Sequence, residues 1–326
     1  MRRASLLAAP LFGHFLGCTN PVDPPQGLSL VDRAPLQAPI ATLVSAEVDD
    51  GFGAAVAVHD GDVWIGAPHG PEGRLYRWSS SEMALVQSAS GRLGAHLSST
   101  ETSLLVSAPL SDRVTDQDGE QIFAGRPSVG IALSSAGDAA WAGGWITSEG
   151  AEGVTPGRPG ALHWDGSQLA VGLPHGPVAL AVGEQQLMRP TSGDEAGFSL
   201  SSAEVSGQAA WVVGAPAANR VFAVSKDDLS VIAEWSGGGR FGHTIITGDI
   251  DGDGREDLVV GAPFDGERGS VTWFSAMDAV PRVLDLDDSG ALGVGTAIAV
   301  DESRIIIGAP GSSAVAGRVI MVQLPQ

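Results

Sequence analysis

The chain has 326 residues and carries 38 acidic against 18 basic side chains, a formal charge of −20. That balance excludes a nucleic-acid binder, which depends on clustered Lys and Arg to meet phosphates, and it argues against docking on an anionic membrane surface. Glycine (45) and proline (20) are abundant and Lys226 is the sole lysine, so many short strands separated by many turns are expected.

Arg2 and Arg3 precede an apolar stretch over residues 4–16, interrupted by Ser5, Pro10, Gly13 and His14. It is too short to span a bilayer and has the form of a secretory leader. Its end, Phe15-Leu16-Gly17-Cys18, resembles a bacterial lipoprotein signal. That resemblance implies cleavage after residue 17 and lipidation of Cys18; an ordinary leader with a chance cysteine remains the alternative, and both export the protein. Cys18 is the sole cysteine, which excludes an intrachain disulfide. Residues 18–39 are proline-rich and read as a tether from the lipidated cysteine. The remainder, residues 40–326, is one repeat domain.

The repeat is a short apolar strand closed by Gly-Ala-Pro or a variant of it. It appears as Val63-Trp64-Ile65-Gly66-Ala67-Pro68 and Leu104-Leu105-Val106-Ser107-Ala108-Pro109, then weakly as Ala139-Ala140-Trp141-Ala142-Gly143-Gly144. It returns as Leu169-Ala170-Val171-Gly172-Leu173-Pro174, Trp211-Val212-Val213-Gly214-Ala215-Pro216, Leu258-Val259-Val260-Gly261-Ala262-Pro263 and Ile305-Ile306-Ile307-Gly308-Ala309-Pro310. Successive stops lie 29 to 47 residues apart, within the range of repeat architectures. A second mark stands thirteen residues earlier in four units: Phe52-Gly53, Leu93-Gly94, Val129-Gly130 and Val294-Gly295. Phe241-Gly242 lies further from its stop, and Gly197-Phe198 is a shifted copy. A third strand follows several stops, as in Gly269-Ser270-Val271-Thr272-Trp273-Phe274.

These marks resemble the FG-GAP repeats of the integrin α-subunit N-terminal region. The resemblance implies an all-β fold, a seven-bladed β-propeller of four-stranded antiparallel blades. Six blades stay open, because the third and fourth units depart most from the pattern. Blades that cannot each keep both faces dry bury one another around an axis. The last unit has three strands before Gln326, and an orphan strand, Ile40-Ala41-Thr42-Leu43-Val44-Ser45, precedes the first Phe-Gly. That orphan is expected to close the ring.

Between Phe241-Gly242 and its stop lies Asp249-Ile250-Asp251-Gly252-Asp253-Gly254-Arg255-Glu256-Asp257. Four aspartates in nine residues suit a hard cation that takes six to eight oxygens; without one they repel each other. The family resemblance implies Ca2+, held by Asp249, Asp251, Asp253 and Asp257 through side chains and by Arg255 through its backbone carbonyl. Shorter acidic turns at residues 59–62, 164–167 and 301–303 offer too few oxygens. The cluster over residues 116–120 reads as a surface loop.

The tryptophans fall mostly within expected strands and read as core, with exposed Trp145 or Trp235 as the sharper option for sugar stacking. Gly237-Gly238-Gly239-Arg240 reads as a turn between blades. No catalytic motif is present, so the chain is read as a non-enzyme. The family further implies a partner face made from the loops that join second to third and fourth to first strands, including His69, Asn219, Arg240, Phe264, Arg268 and residues 287–290. The expected function is an exported, calcium-binding adhesion or binding module at the cell envelope. It would be an outer-membrane lipoprotein or cell-surface protein that meets a protein or glycan ligand. A hydrolase or lyase on a propeller scaffold and a purely structural envelope protein are the alternatives.

Overall fold

Strands of two to eight residues ended by glycine turns bury little alone, and the way they stack settles the blade count. The structure is a computed structural model that describes residues 39–324 apart from 279, 285, 287–289 and 302; the leader, Cys18 and the tether up to residue 38 lie outside the described residues.

A first strand, β1 (Ala41–Val48), precedes blade I, which comprises β2 (Ala55–His59), β3 (Asp62–Ala67), β4 (Gly73–Ser79) and β5 (Glu82–Ala89). Blade II holds β6 (Leu97–Ser99), β7 (Leu104–Ala108), β8 (Arg113–Thr115) and β9 (Gln121–Ala124). Blade III is the shortest: β10 (Ala132–Leu133), β11 (Ala139–Trp141), β12 (Gly144–Ile146) and β13 (Glu152–Val154). Blade IV runs β14 (Ala161–Trp164), β15 (Leu169–Gly172), β16 (Val178–Val182) and β17 (Gln185–Met188). Blade V runs β18 (Ser199–Val205), β19 (Gln208–Ala215), β20 (Arg220–Ser225) and β21 (Val231–Ser236). Blade VI has β22 (Thr244–Gly248), β23 (Asp257–Ala262), β24 (Ser270–Phe274) and β25 (Arg282–Val283). Blade VII has β26 (Ala297–Val300), β27 (Arg304–Ala309) and β28 (Ala316–Gln323), and takes β1 as its fourth strand.

The count is therefore seven, and the six-blade alternative falls. Every sheet is antiparallel. The closing strand is slightly longer than the sequence suggests and pairs Ala41 with Met321, Leu43 with Val319 and Val44 with Arg318. In this order the hairpins joining strands 1–2 of every blade, and strands 3–4 of blades I to VI, lie at one end of the ring, here the lower end. The 2–3 and 4–1 connections lie at the upper end.

Side chains of a strand alternate between faces, and each second strand uses both. Ile305 and Ile307 pack toward blade VI, whereas Ile306 packs toward blade I. Val259 faces blade VII, and Leu258 and Val260 face blade V. The buried apolar residues accordingly form clusters at all seven seams between neighbouring blades, including the seam where blade VII meets blade I. A fully buried Ile or Leu contributes about 1.5–3 kcal/mol, so the seams carry the apolar stabilisation.

The Phe-Gly and Gly-Ala-Pro marks meet at these seams. The Gly53 N–H donates to the Gly66 carbonyl of its own blade (3.0 Å), and Gly94, Gly197 and Gly295 repeat this with Ser107, Gly214 and Gly308. The carbonyl of the same glycine then abuts the stop glycine of the preceding blade. A Cβ built on Gly308 would lie 2.0 Å from the Gly53 oxygen, and one on Gly66 would lie 2.0 Å from that of Gly94. Gly53 itself has φ +90°, a conformation costly for other residues.

Blade III corrects the sequence alignment. Gly130 donates to Ala140, not to Gly143, because the first two strands of blade III have 2 and 3 residues where those of blade I have 5 and 6. Blade IV does carry the first mark, as Gly160, whose N–H meets the Gly172 carbonyl at 2.9 Å; buried Pro159 stands where Phe52 does in blade I.

Deleting residues 40–46 removes most of the closing strand and is expected to lower the thermal midpoint on the order of 10 °C, taking about 2–4 °C per kcal/mol. Gly53→Ala adds roughly 1–3 kcal/mol of backbone strain and a clash with the Arg318 carbonyl, which lies 2.5 Å from the added Cβ. Thermal unfolding followed by circular dichroism checks both; an unchanged midpoint for the deletion rules out β1 as the clasp.

Candidate functional site

The acidic loop lies at the lower end between β22 and β23, and its turn is shaped by its own carboxylates. Asp249 accepts the Gly254 N–H (3.0 Å), Asp251 that of Asp253 (3.2 Å) and Asp253 that of Arg255 (2.8 Å). Gly252 and Gly254 adopt φ +75° and +83°, which lets the chain fold back on itself. Asp257, fully buried at the start of β23, accepts the N–H groups of Ile250 (2.9 Å), Asp251 (3.2 Å) and Ala276 (2.6 Å). Ser275 donates to Asp251 (3.0 Å), so the segment after β24 closes over the loop. Burial pushes the Asp257 carboxyl up, the N–H groups of Ala276 and Ile250 oppose this, and the charge of Asp251 adds to it.

One carboxylate oxygen from each of Asp249, Asp251 and Asp257 comes within 4.8 Å of the others. This all-oxygen, anionic donor set fits a hard divalent cation. Asp253 is exposed, and its carboxylate serves the Arg255 N–H rather than joining the three. No other such group occurs among the described residues. The cluster at residues 116–120 is a hairpin in which Asp116 accepts the N–H groups of Asp118 and Glu120.

At the upper end the residues expected on a partner face fall into two groups. Asn219, Arg240 and Phe264 converge at the seam of blades V and VI. The Arg240 N–H donates to the Asn219 side chain (2.7 Å), the Phe264 N–H donates to Gly239 (3.0 Å), and the Phe264 ring is 68% exposed. Arg240 also pairs with Glu195 and lies over the Phe198 ring at 5.6 Å. His69, on blade I, is packed against Gly51 and is not part of this group. Exposed Arg268 contributes its carbonyl to the Val294 N–H (2.8 Å). Residues 287–289 lie outside the described residues.

The innermost strands line a central cavity of ≈ 390 Å³. Small and apolar side chains such as Ala55, Ala132 and Ile298 dominate it; His96 and His243 are its titratable groups, and no carboxylate is among its described lining residues. Burial and the nearby Arg240 hold His243 down to about 4. His96 opens to channel water but is walled in by protein, and that enclosure together with Arg92 also lowers it.

Two polar anchors escaped the sequence reading. Arg189 and Asp194, with side chains 5% and 4% exposed, form an ion pair. Arg189 also donates to the carbonyls of Leu173, Gly176 and Val178, tying the 2–3 loop of blade IV to the entry of blade V. Asp194 accepts the Ala196 N–H three residues before Gly197's blade begins to pair, as Asp50 does for Phe52; this shared Asp placement was the available signal. The second anchor is Lys226, which bonds Asp165 across the blade IV–V seam (2.5 Å) and lies 4.3 Å from the buried Trp211 ring. Burial raises Asp165, but the Lys226 ammonium and the N–H groups of Gln168 and Ser167 outweigh it and leave the carboxyl below its usual range. His163, against the same Trp211 ring, is lowered to about 4 by burial and by Lys226.

Trp64, Trp211 and Trp273 are core residues as expected. Trp235 corrects the expectation of exposure: it is buried and donates to the Asp278 carbonyl (3.1 Å). Trp145 is half-buried. The exposed indole is Trp164, at the lower end of β14.

Residues 241–272, which hold Phe241-Gly242, the acidic loop and the Gly261 stop, match the family model for the FG-GAP repeat. The chain is similar to integrin alpha-8 of Mus musculus, 29% identical over 133 residues, or 34% of this chain and 12% of that protein. It is also similar to integrin alpha-8 of Homo sapiens, 27% identical over 132 residues with the same coverage. The match thus spans about an eighth of the curated relatives' length. Solved propellers superpose over most of the chain at low identity. A streptogramin B lyase aligns with a TM-score of 0.66 at 11% identity, covering 86% of this chain and 97% of that one. A catalytically inactive virginiamycin B lyase from Staphylococcus aureus with quinupristin aligns at 0.65, 12% identity, 87% and 98%. At such identity these neighbours attest the fold alone. No helix among the described residues is long and apolar enough to cross a membrane.

His163 and His243 carry folded-state values of about 4, below the ordinary 6.5. Their neutral forms support the fold fully above the unfolded value, and that support is lost as pH falls through the folded one. The thermal midpoint is expected to drop between pH 6.5 and 4, and His163→Gln to flatten that drop. Melting curves across this range check it.

Proposed function

We propose that this FG-GAP propeller is an exported, calcium-binding binding module of the cell envelope, without catalytic activity of its own. The observation that carries the reading is the convergence of Asp249, Asp251 and Asp257 inside the matched FG-GAP repeat. Asp253 and the Arg255 carbonyl would complete the oxygen set, and the bound Ca2+ would supply charge that offsets the mutual repulsion of the carboxylates. Because Ser275 and Ala276 hang on Asp251 and Asp257, cation binding would also fix the outer part of blade VI.

The upper-end group of Asn219, Arg240 and Phe264 is the proposed contact surface for a protein or glycan. An exposed aromatic beside an arginine is the composition favoured at interface hot spots. Polarity of the ring supports this placement. The chain enters β1 at the lower end, where Ala41 pairs with Met321, opposite to this proposed contact surface. A central cavity without carboxylates does not supply the convergent acid–base pair that the hydrolase or lyase alternative needs.

Isothermal titration with CaCl2 is expected to show a site filled at millimolar calcium or below, and Asp257→Asn to abolish it. No heat at millimolar calcium overturns the metal assignment. For the anchor, Cys18→Ser is expected to move the protein from the membrane to the soluble fraction of a bacterial host; unchanged fractionation refutes lipidation.

A further inference from the structure

The lower end of the ring carries a second feature that the calcium reading does not use. Blade III has strands of only two or three residues, whereas those of blades II and IV on either side run to three to five. The recess left between them is a trough of ≈ 930 Å³. Its tightest point is Gly137, with φ +88°, where an added Cβ would stand 3.3 Å from that of Ser148. Small residues there keep the trough open.

The lining has one chemical character. Trp164 forms one wall, 36% exposed, and Ile122, 43% exposed, adds a second apolar patch. The rest is hydroxyl-rich. The side-chain oxygens of Thr102, Ser135 and Ser148 and the carboxylate of Glu101 line the trough and make no hydrogen bond among the described residues. No Lys or Arg is among its lining residues, so it offers nothing to balance a phosphate, sulfate or uronate. An exposed indole beside free hydroxyl donors and acceptors matches a ligand with C–H edges on one side and hydroxyl groups on the other. The electron-rich indole face attracts the weakly positive C–H groups, and each hydroxyl both donates and accepts.

The aromatic wall is also held in place before any ligand arrives. Trp164 leads into a tight hairpin in which Asp165 accepts the N–H groups of Ser167 (2.8 Å) and Gln168 (2.7 Å). The same carboxylate is pinned to blade V by Lys226. A platform fixed from two sides loses little freedom on binding.

We propose that this trough is a binding site for a neutral oligosaccharide, with Trp164 as its stacking platform. The site is separate from the Asp249–Asp251–Asp257 group and needs no cation, so the two readings stand or fall independently.

The test is calorimetric titration of the full chain with cello-, malto- and chitotetraose up to about 10 mM, a range that captures millimolar affinities, with and without EDTA. At least one neutral tetrasaccharide is expected to bind at millimolar or tighter affinity, unchanged by EDTA. Trp164→Ala is expected to weaken it at least about tenfold with the thermal midpoint retained. Ser135→Val and Ser148→Val, both on the exposed rim, are expected to weaken it by about threefold each, as for single hydroxyl contacts. Lys226→Met should weaken binding while leaving the stacking residue present. Absence of heat with all three sugars overturns the proposal, as does wild-type affinity in Trp164→Ala or tighter binding of an acidic oligosaccharide than of any neutral one.

Discussion

The spacing between blades is set where one glycine's carbonyl meets another glycine's Cα. At five seams the room for a side chain at the stop glycine is already filled by backbone oxygen: Gly66 with Gly94, Gly172 with Gly197, Gly214 with Gly242, Gly261 with Gly295 and Gly308 with Gly53. This contact lets Phe52, Leu93 and Phe241 reach full burial beside it. The apolar clusters, the orientation of the loops at both ends and the width of the central cavity all follow from that approach. The two seams around blade III depart from it: Ser107 stands against Gly130 at one, Ala140 takes the stop position at the other, and the strands are shortest there.

The acidic loop and the group of Asn219, Arg240 and Phe264 are placed by the same geometry at opposite ends. Insertions between the first and second strands reach the lower end, which is why the acidic loop of blade VI lies there. The shorter strands of blade III open the trough on that end as well. Insertions at the 2–3 and 4–1 positions reach the upper end and bring Asn219, Arg240 and Phe264 together although they are far apart in sequence.

The fold was legible because its two marks are backbone requirements that glycine meets in most blades. The closing strand was legible from a deficit, three strands in the last unit and a spare one in front. The convergence of Asp249, Asp251 and Asp257 follows the Asp spacing, but the contacts of Ser275 and Ala276 with them were not legible, since they depend on how the chain returns after β24. Alignment by a fixed offset failed in blade III because shorter strands move the paired residue from Gly143 to Ala140. Gly160 was missed because proline replaces the aromatic before it. Trp235 sits on an outermost strand, yet its indole turns toward Asp278 of the next blade, and alternation within one sheet does not report a neighbour. The Asp165–Lys226 pair spans 61 residues and leaves no local pattern.

The clasp has a mechanical consequence. Ala41 faces Met321, so the two ends of the closing pair emerge side by side. Tension applied between those ends would peel the ladder one rung at a time, at low force. Tension between the upstream chain and the body of the ring runs along β1 instead and strains all its rungs together. A particle held from upstream and pulled from its upper loops would therefore resist in its stronger direction.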